Sequence, residues 1–408
     1  MAQLPSGETA PLDGVLPLGE NYDPSQSFHA YVHVPFCRVR CGYCDFNTYT
    51  ATELRGVSQD SFALQLIAEI EFSKRALAAS NFEPKPLATV FFGGGTPTQL
   101  PASDLVAILD ALSDAFGIES GAEITTEANP DNVDLDYLNE LKAGGFTRVS
   151  FGMQSAVSSV LAVLDRTHQP ERVPQVVAWA KAAGLQTSVD LIYGSPTESI
   201  DDWRNTLEQA LSLETDHISA YSLIVEEGTK LARQISRGEL PQPDEDEQAV
   251  KYEMADAAFA DAGLDWYELS NWSRGPETAS KHNLSYWQGR NWWGYGPGAH
   301  SHIGGVRWWN IKHPAPYVER LNSGNSPALE REVLDASTIL EEHVLLGVRL
   351  RDGLEIEKLR QVEGFKPEKI AGLIADGLIE ASAALKGRVL LTLNGRLLAD
   401  YVVRELLV

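Results

Sequence analysis

From about residue 29 to 222, short apolar runs alternate with longer amphipathic stretches. The runs are Ala30–Val34, Ala88–Phe92, Glu123–Thr126, Arg148–Phe151, Thr187–Ile192 and His217–Leu223. Each is short and bounded by turn residues, the pattern of strands buried on both faces of a parallel sheet. Between them Ser61–Ala79, Ser103–Phe116, Leu135–Ala143, Glu171–Ala183 and Asp201–Leu211 have the length and period of helices. Ser103 and Asp201 are candidate N-caps, and Gly144 and Gly184 candidate helix stops. Six strand–helix units predict an α/β fold, either a parallel barrel or an open doubly wound sheet.

In both architectures function collects at the carboxyl ends of the strands. The unusual loops follow the strands in turn: a cysteine cluster after the first, then Gly93–Pro97, Glu127–Pro130, Gly152–Ser155 and Gly194–Pro196. All of them therefore fall on one face. The pattern changes over residues 224–325, where seven of the nine tryptophans lie between Trp266 and Trp309, with His282, His300 and His302 interleaved. So aromatic a segment is either a second core or a ligand platform. Residues 326–408 return to amphipathic helices, followed by Arg388–Thr392 and Ala399–Leu407, and suggest a small helical domain of winged-helix type. Residues 1–28, rich in Pro, Gly and Ser, read as a flexible lead. The expected division is thus 1–28, 29–223, 224–325 and 326–408.

Charge narrows the partners. Asp and Glu number 57 against 33 Lys and Arg, a formal net charge of −24. That balance opposes binding to nucleic acid, which needs clustered cations, and docking on anionic lipid. No run of about 18 apolar residues predicts a membrane span. The first 29 residues lack the basic start and apolar stretch of a signal peptide.

Only three cysteines occur, Cys37, Cys41 and Cys44, all within eight residues. An odd, clustered set makes a poor disulfide framework and reads as a metal site in a reducing compartment, which places the protein in the cytoplasm. The spacing is C-x3-C-x2-C. A four-iron cluster has four irons to ligate, so three thiolates leave one iron open to a small chelating ligand. Arg38 and Arg40 would help keep the thiolates ionised. The competing readings are three buried structural cysteines, or a zinc site with His33 as fourth ligand.

The stretch Tyr31-Val32-His33-Val34-Pro35-Phe36-Cys37 through Cys44-Asp45-Phe46 resembles the opening of the radical-SAM superfamily, in its coproporphyrinogen dehydrogenase/HemW branch. The resemblance spans residues 29–400. It implies a partial (β/α)6 barrel and a [4Fe–4S] cluster whose open iron takes the amino and carboxylate groups of S-adenosylmethionine. Members of the superfamily cleave that cofactor reductively to a 5′-deoxyadenosyl radical, or bind it at the cluster. Gly93-Gly94-Gly95-Thr96-Pro97 is similar to the family's GGGTP motif, which contacts the methionine amino group; a glycine loop taken alone is weak. Tyr31 and Tyr43 match aromatic residues lining adenosine and cluster. Glu127 matches a carboxylate near the cofactor, Gln154 and Arg166 match polar contacts to it, and Asp190 matches a ribose ligand. One departure stands beside Asp190: Gly194-Ser195-Pro196 occupies the place of Gly-Leu-Pro.

Two functions compete within the branch. One is an oxygen-independent coproporphyrinogen III dehydrogenase, which decarboxylates two propionates. The other is a chaperone that binds heme and delivers it to a membrane cytochrome or another respiratory heme protein. The dehydrogenase has a further cysteine two residues after the third, where this chain has Phe46. His282-Asn283-Leu284-Ser285-Tyr286-Trp287 resembles the H-N-x-x-Y-W motif linked to heme binding in the chaperones. Imidazole is a usual axial ligand of heme iron, and aromatic walls suit the macrocycle. On residues alone, the favoured reading is that His282 hydrogen-bonds a loop while Tyr286 and Trp287 pack in a core; the resemblance is what brings in heme, with His300 as a second candidate. The resemblance also implies a homodimer, and the acidic surface would suit a basic cytoplasmic loop of the recipient.

Overall fold

The computed structural model describes residues 6–19, 22–50, 53–54 and 57–407. Six parallel strands form its centre: β1 (Phe28–Val34), β2 (Leu87–Gly94), β3 (Ile118–Ala128), β4 (Arg148–Gln154), β5 (Gln186–Tyr193) and β6 (His217–Ser222). They pair in sequence order, each parallel to the next. Five main crossover helices link them: α1 (Phe62–Ala79), α2 (Ala102–Phe116), α3 (Leu135–Ala143), α4 (Arg172–Ala182) and α5 (Ile200–Ser212). Parallel neighbours require such crossovers, and the helices cover the outer face. Leu66, Ile70, Leu105, Leu138, Val176 and Leu207 from the five helices enter one core with the strands.

The helix stops behave as expected, with Gly144 at the end of α3 and Gly184, at φ +78°, just past the end of α4. The N-caps differ. Pro101 precedes α2, and Ser199 caps α5 in a capping box with Asp202. Ser103 and Asp201 lie inside their helices. An aspartate one turn into a helix reads like a cap because it also complements the positive end of the dipole.

The sheet continues at both edges, built mainly from the aromatic-rich segment. β7 (Asp265–Glu268) and β8 (Asn271–Ser273) add antiparallel beyond β6. At the other edge β9 (Asn291–Tyr295) lies parallel to β1, followed by antiparallel β10 (His300–Ile303), β11 (Val306–Asn310) and β12 (Ala328–Val333). Among the described residues this gives an open sheet of thirteen strands whose ends do not pair. The barrel is therefore partial.

Side chains alternate across the strands, which divides the tryptophans. Trp293 and Trp308 meet at 4.9 Å in the core, while their neighbours Trp292 and Trp309 face the opposite side. The segment is thus both a second core and a wall.

Two expected boundaries move. Glu8–Thr9 pairs with β12, and Ala10 and Leu16 are buried, so the described part of the lead is packed against the sheet rather than flexible. Residues 1–5, 20 and 21 of that lead lie outside the described residues. The helix α6 (Lys281–Trp287) precedes β9; β12 belongs to the main sheet, so the helical region starts after it, with α7 (Ala336–Gly347). That region has its own core of Val344, Leu354, Leu373, Val389 and Val402. Its small sheet pairs Leu354–Glu355 with Arg388–Val389, and Ala399–Leu407 is a helix. Arg396 ties it to the body through two bonds to Asp256, at 2.8 and 2.6 Å. Among the described residues no helix is long and apolar enough to cross a membrane.

Candidate functional site

The carboxyl ends of β1 to β5 converge on a cavity of about 170 Å³. All three cysteines line it. Their loop leaves β1 and is held at both ends: Cys37 N donates to Tyr49 O at 2.9 Å, and Gly42 is hydrogen-bonded through N to Leu164 and through O to Leu231. A Cβ on Gly42 would meet Asp165 Oδ2 at 2.6 Å, so the Asp165 carboxylate would have to move aside.

The glycine loop is locked to the cysteine loop by backbone. Gly95 N donates to Val34 O and Thr96 N to Phe36 O, both at 2.8 Å. A Cβ on Gly95 would lie 2.7 Å from Phe36 O and 3.0 Å from Cys37 Sγ. Gly94 has φ +108°, and a Cβ there would strike the His33 ring. Close approach of two backbones, rather than general flexibility, is what these glycines provide. Thr96 Oγ1 lies 3.7 Å from Cys37 Sγ.

Two carboxylates stand across from the loops. Glu127 Oε2 accepts from Gly94 N at 3.2 Å, and Asp190 Oδ2 accepts from Ser150 Oγ at 2.9 Å. Enclosure first, and then the charge of Asp190, push Glu127 up to about 8. Enclosure also raises Asp190. Such a pair calls for a cation between or beside its members.

Gln154 ends β4 at φ +55°, a strained position for a residue other than glycine, next to a register shift against β5. The strain turns its amide into the cavity, where its buried Oε1 has no partner. Arg166 places Nη1 3.5 Å from Cys41 Sγ and Nη2 3.2 Å from Gly152 O, leaving Nε unpartnered. The cation beside Cys41 and Cys37 is thus Arg166. Arg40 acts nearer Cys44, whose carbonyl it bonds, and Arg38 is exposed.

Among the described residues no three His, Cys, Asp or Glu side chains are gathered closely enough to hold one metal ion. His33 is also spent: its ring nitrogens bond Tyr31 OH and Asn47 O, each at 3.0 Å. Both facts count against zinc. A four-iron cluster makes a different demand, since each thiolate goes to its own iron and the sulfurs stand farther apart. Burial pushes Cys37 up to about 11 and raises Cys44 too. Three thiolates here need a strongly cationic partner, as an iron cluster is. The orphaned Gln154 Oε1 and Arg166 Nε fit a polar ligand beside it that carries both donors and acceptors, and a positive charge on that ligand would favour the ionised forms of Glu127 and Asp190.

Of the expected site residues, Tyr43, Gly94, Gly95, Thr96, Glu127, Gln154, Arg166 and Asp190 all line this cavity with the cysteines. Tyr31 and His282 do not. They line a deeper cavity of about 530 Å³ in the sheet's interior, which Tyr43, Glu127, Gln154 and Asp190 also border. Tyr31 stacks on Phe91 there. His282 is the second residue of α6 (Lys281–Trp287), behind the N-cap Ser280. It is buried, and both ring nitrogens are taken: Nδ1 by Thr89 Oγ1 at 2.6 Å and Nε2 by Tyr286 OH at 2.9 Å. Its ring lies against Phe91 at 5.1 Å. As placed, His282 is a support for Tyr286, not an open iron ligand. Asn129, Asp131 and Asn132 also line the cysteine cavity and were not among the candidates. Their signal was the loop after β3 that already pointed to Glu127.

Phe46, 59% exposed, borders the cysteine cavity, the interior cavity and a third, outer one. The residue that stands where the dehydrogenases have a cysteine is therefore at the junction of all three.

Residues 31–210 match the profile of the Radical SAM superfamily. A curated relative from Mycobacterium tuberculosis, "Heme chaperone HemW", is 47% identical over 97% of this chain and 97% of its own. Another of the same name, from Bacillus subtilis, is 32% identical over 91% of this chain and 97% of its own. Among solved structures, coproporphyrinogen III oxidase (HemN) from Escherichia coli superposes with a TM-score of 0.78 at 22% identity, covering 95% of this chain and 91% of that one. That likeness shows the shared α/β fold, including the open sheet and the helical C-terminal region. The full-length identity to the two bacterial relatives goes further: this chain belongs to the HemW family of the radical-SAM superfamily.

Proposed function

We propose that this protein is a cytoplasmic heme chaperone. It carries a [4Fe–4S] cluster on Cys37, Cys41 and Cys44, binds S-adenosylmethionine at the open iron, and passes heme to a membrane cytochrome or another respiratory heme protein. The full-length relationship to proteins named heme chaperones carries this reading. Phe46 supports it, because the cysteine that marks the dehydrogenases is absent.

The residues have distinct tasks in this account. Gly94, Gly95 and Thr96 hold the methionine end against the cluster. Glu127 and Asp190 face the positive charge and the ribose hydroxyls. Gln154 and Arg166 supply polar contacts and balance the thiolates, and Tyr43 closes the wall between the cysteine cavity and the interior one. When bound, the cluster would supply an open iron for the amino and carboxylate groups of the cofactor to chelate. The acidic surface suits a recipient with a basic cytoplasmic loop, and a homodimer follows the family resemblance.

The test is incubation of the cluster-loaded protein with coproporphyrinogen III, S-adenosylmethionine and a reductant. The account expects no protoporphyrinogen. Sustained turnover would move the protein to the dehydrogenases.

A further inference from the structure

The outer cavity, about 860 Å³, lies between one face of β9–β12 and helix α7. Strand periodicity builds its wall. Trp292 pairs with His302, His302 with Arg307, and Arg307 with Glu332, so one row of the sheet face reads aromatic, imidazole, guanidinium, carboxylate. The next row pairs His300 with Trp309, their rings stacked at 5.9 Å. Leu345 and Leu346 of α7 close the opposite side. Tyr286 forms part of the boundary, and its ring meets Trp292 edge-on at 4.7 Å.

Availability of imidazole separates this cavity from the interior one. In the interior cavity both nitrogens of His282 are taken, and His217 bonds Ser188 and Tyr267 at 2.7 Å each. The outer cavity differs at His302. Its Nδ1 bonds Arg290 O at 3.0 Å, which makes that nitrogen the donor and leaves the Nε2 lone pair free. Metal-binding histidines are commonly oriented in this way, with the second nitrogen donating to a backbone carbonyl. Trp292 lies 5.1 Å from the ring and fixes its side. His300 borders the same space but has no such backbone anchor.

Resting on the heme-carrier reading, we propose that heme occupies this outer cavity, with His302 Nε2 as the ligand of its iron. One coordinate bond forms from a neutral imidazole, and no proton or electron is transferred. Trp292 and Tyr286 offer aromatic surface to the macrocycle, and the α7 leucines offer apolar surface. Arg307 already holds two carboxylates, Glu332 at 2.7 Å and Glu342 of α7 at 2.6 Å. A propionate can reach it by displacing Glu342. The H-N-x-x-Y-W motif then contributes through Tyr286, which His282 holds in place.

The experiment is a titration of the full-length, cluster-loaded protein with hemin, read by absorption and electron paramagnetic resonance. Wild type is compared with His302→Ala, His302→Gly, His300→Ala and His282→Ala. The expected result is loss of the imidazole-ligated signature and about tenfold or more weaker binding in His302→Ala. Free imidazole should restore the signature in His302→Gly, and His300→Ala and His282→Ala should keep it. Rescue by imidazole excludes a folding defect as the cause. Retention of the signature in His302→Ala overturns the proposal, as does its loss without imidazole rescue in His302→Gly. If wild type takes up no hemin, the chaperone reading itself falls, a different outcome from unchanged binding by the variants.

Discussion

Glu127 shows how one side chain can report the ligand. Its carboxyl is raised to about 8, so without ligand it is largely neutral at pH 6 and ionises as pH climbs. A carboxyl whose folded pKa exceeds its unfolded one stabilises the fold below the unfolded value and loses that contribution as pH rises through the folded value. A cationic ligand prefers the ionised form. S-adenosylmethionine should therefore bind more tightly at pH 8 than at pH 6, and Glu127→Gln should flatten the difference in calorimetric titrations; an unchanged pH profile in the variant would remove Glu127 from the site. The cysteines permit a cleaner test. Anaerobic reconstitution should yield about four irons per chain with the broad visible absorbance of a cluster. A triple Cys→Ala variant should lose both, and full iron retention by that variant would contradict the assignment. His282→Ala should leave the Tyr286 hydroxyl short of a partner, while Thr89 keeps His29, and cost about 1–3 kcal/mol of stability, measured by denaturant unfolding. At this scale the sequence located much of the lining of the cysteine cavity, because those residues sit near the carboxyl ends of strands or in the loops that follow them. It could not display the state of His282. Whether an imidazole is open depends on Thr89 and Tyr286, and Thr89 is far away along the chain.

Among the elements, buried parallel strands were legible because apolar runs of such length between turn residues have few other uses. The crossover helices followed from their period. The caps were less so. Ser199 lies just before α5 and Asp201 in its first turn, and only backbone geometry selects Ser199, whose side chain accepts from Asp202 N. Ser199→Ala should destabilise the protein by about 1 kcal/mol, and Asp201→Ala by clearly less. Equal losses in thermal unfolding would mean the capping box contributes little. The outer strands β9 to β12 were not anticipated as strands. In β9 and β11 the alternation is aromatic on both faces, Trp292 beside Trp293 and Trp308 beside Trp309, so the polar partner that marks a half-exposed strand is missing. The same doubling gives this segment a core side and a cavity side.

Across the whole molecule, Phe46 borders all three cavities, and the cysteine cavity shares Tyr43, Glu127, Gln154 and Asp190 with the interior one that Tyr31 and His282 line. The sheet's aromatic edge and α7 enclose the outermost space, so the C-terminal helical region completes a wall as well as forming its own core. The sequence pointed to this architecture only in pieces: the superfamily half clearly, the C-terminal half by composition. The packed start of the chain was misread because Pro and Gly also suit a segment that runs along a sheet edge with little regular structure. A carrier must both hold its cargo and give it up. The most direct measurement loads the cluster-containing protein with heme and mixes it with membranes holding a heme-free respiratory enzyme. The account predicts that heme leaves the protein and respiratory activity returns faster than with the same amount of free hemin. Heme that stays on the protein, or activity that returns no faster than with free hemin, would contradict it.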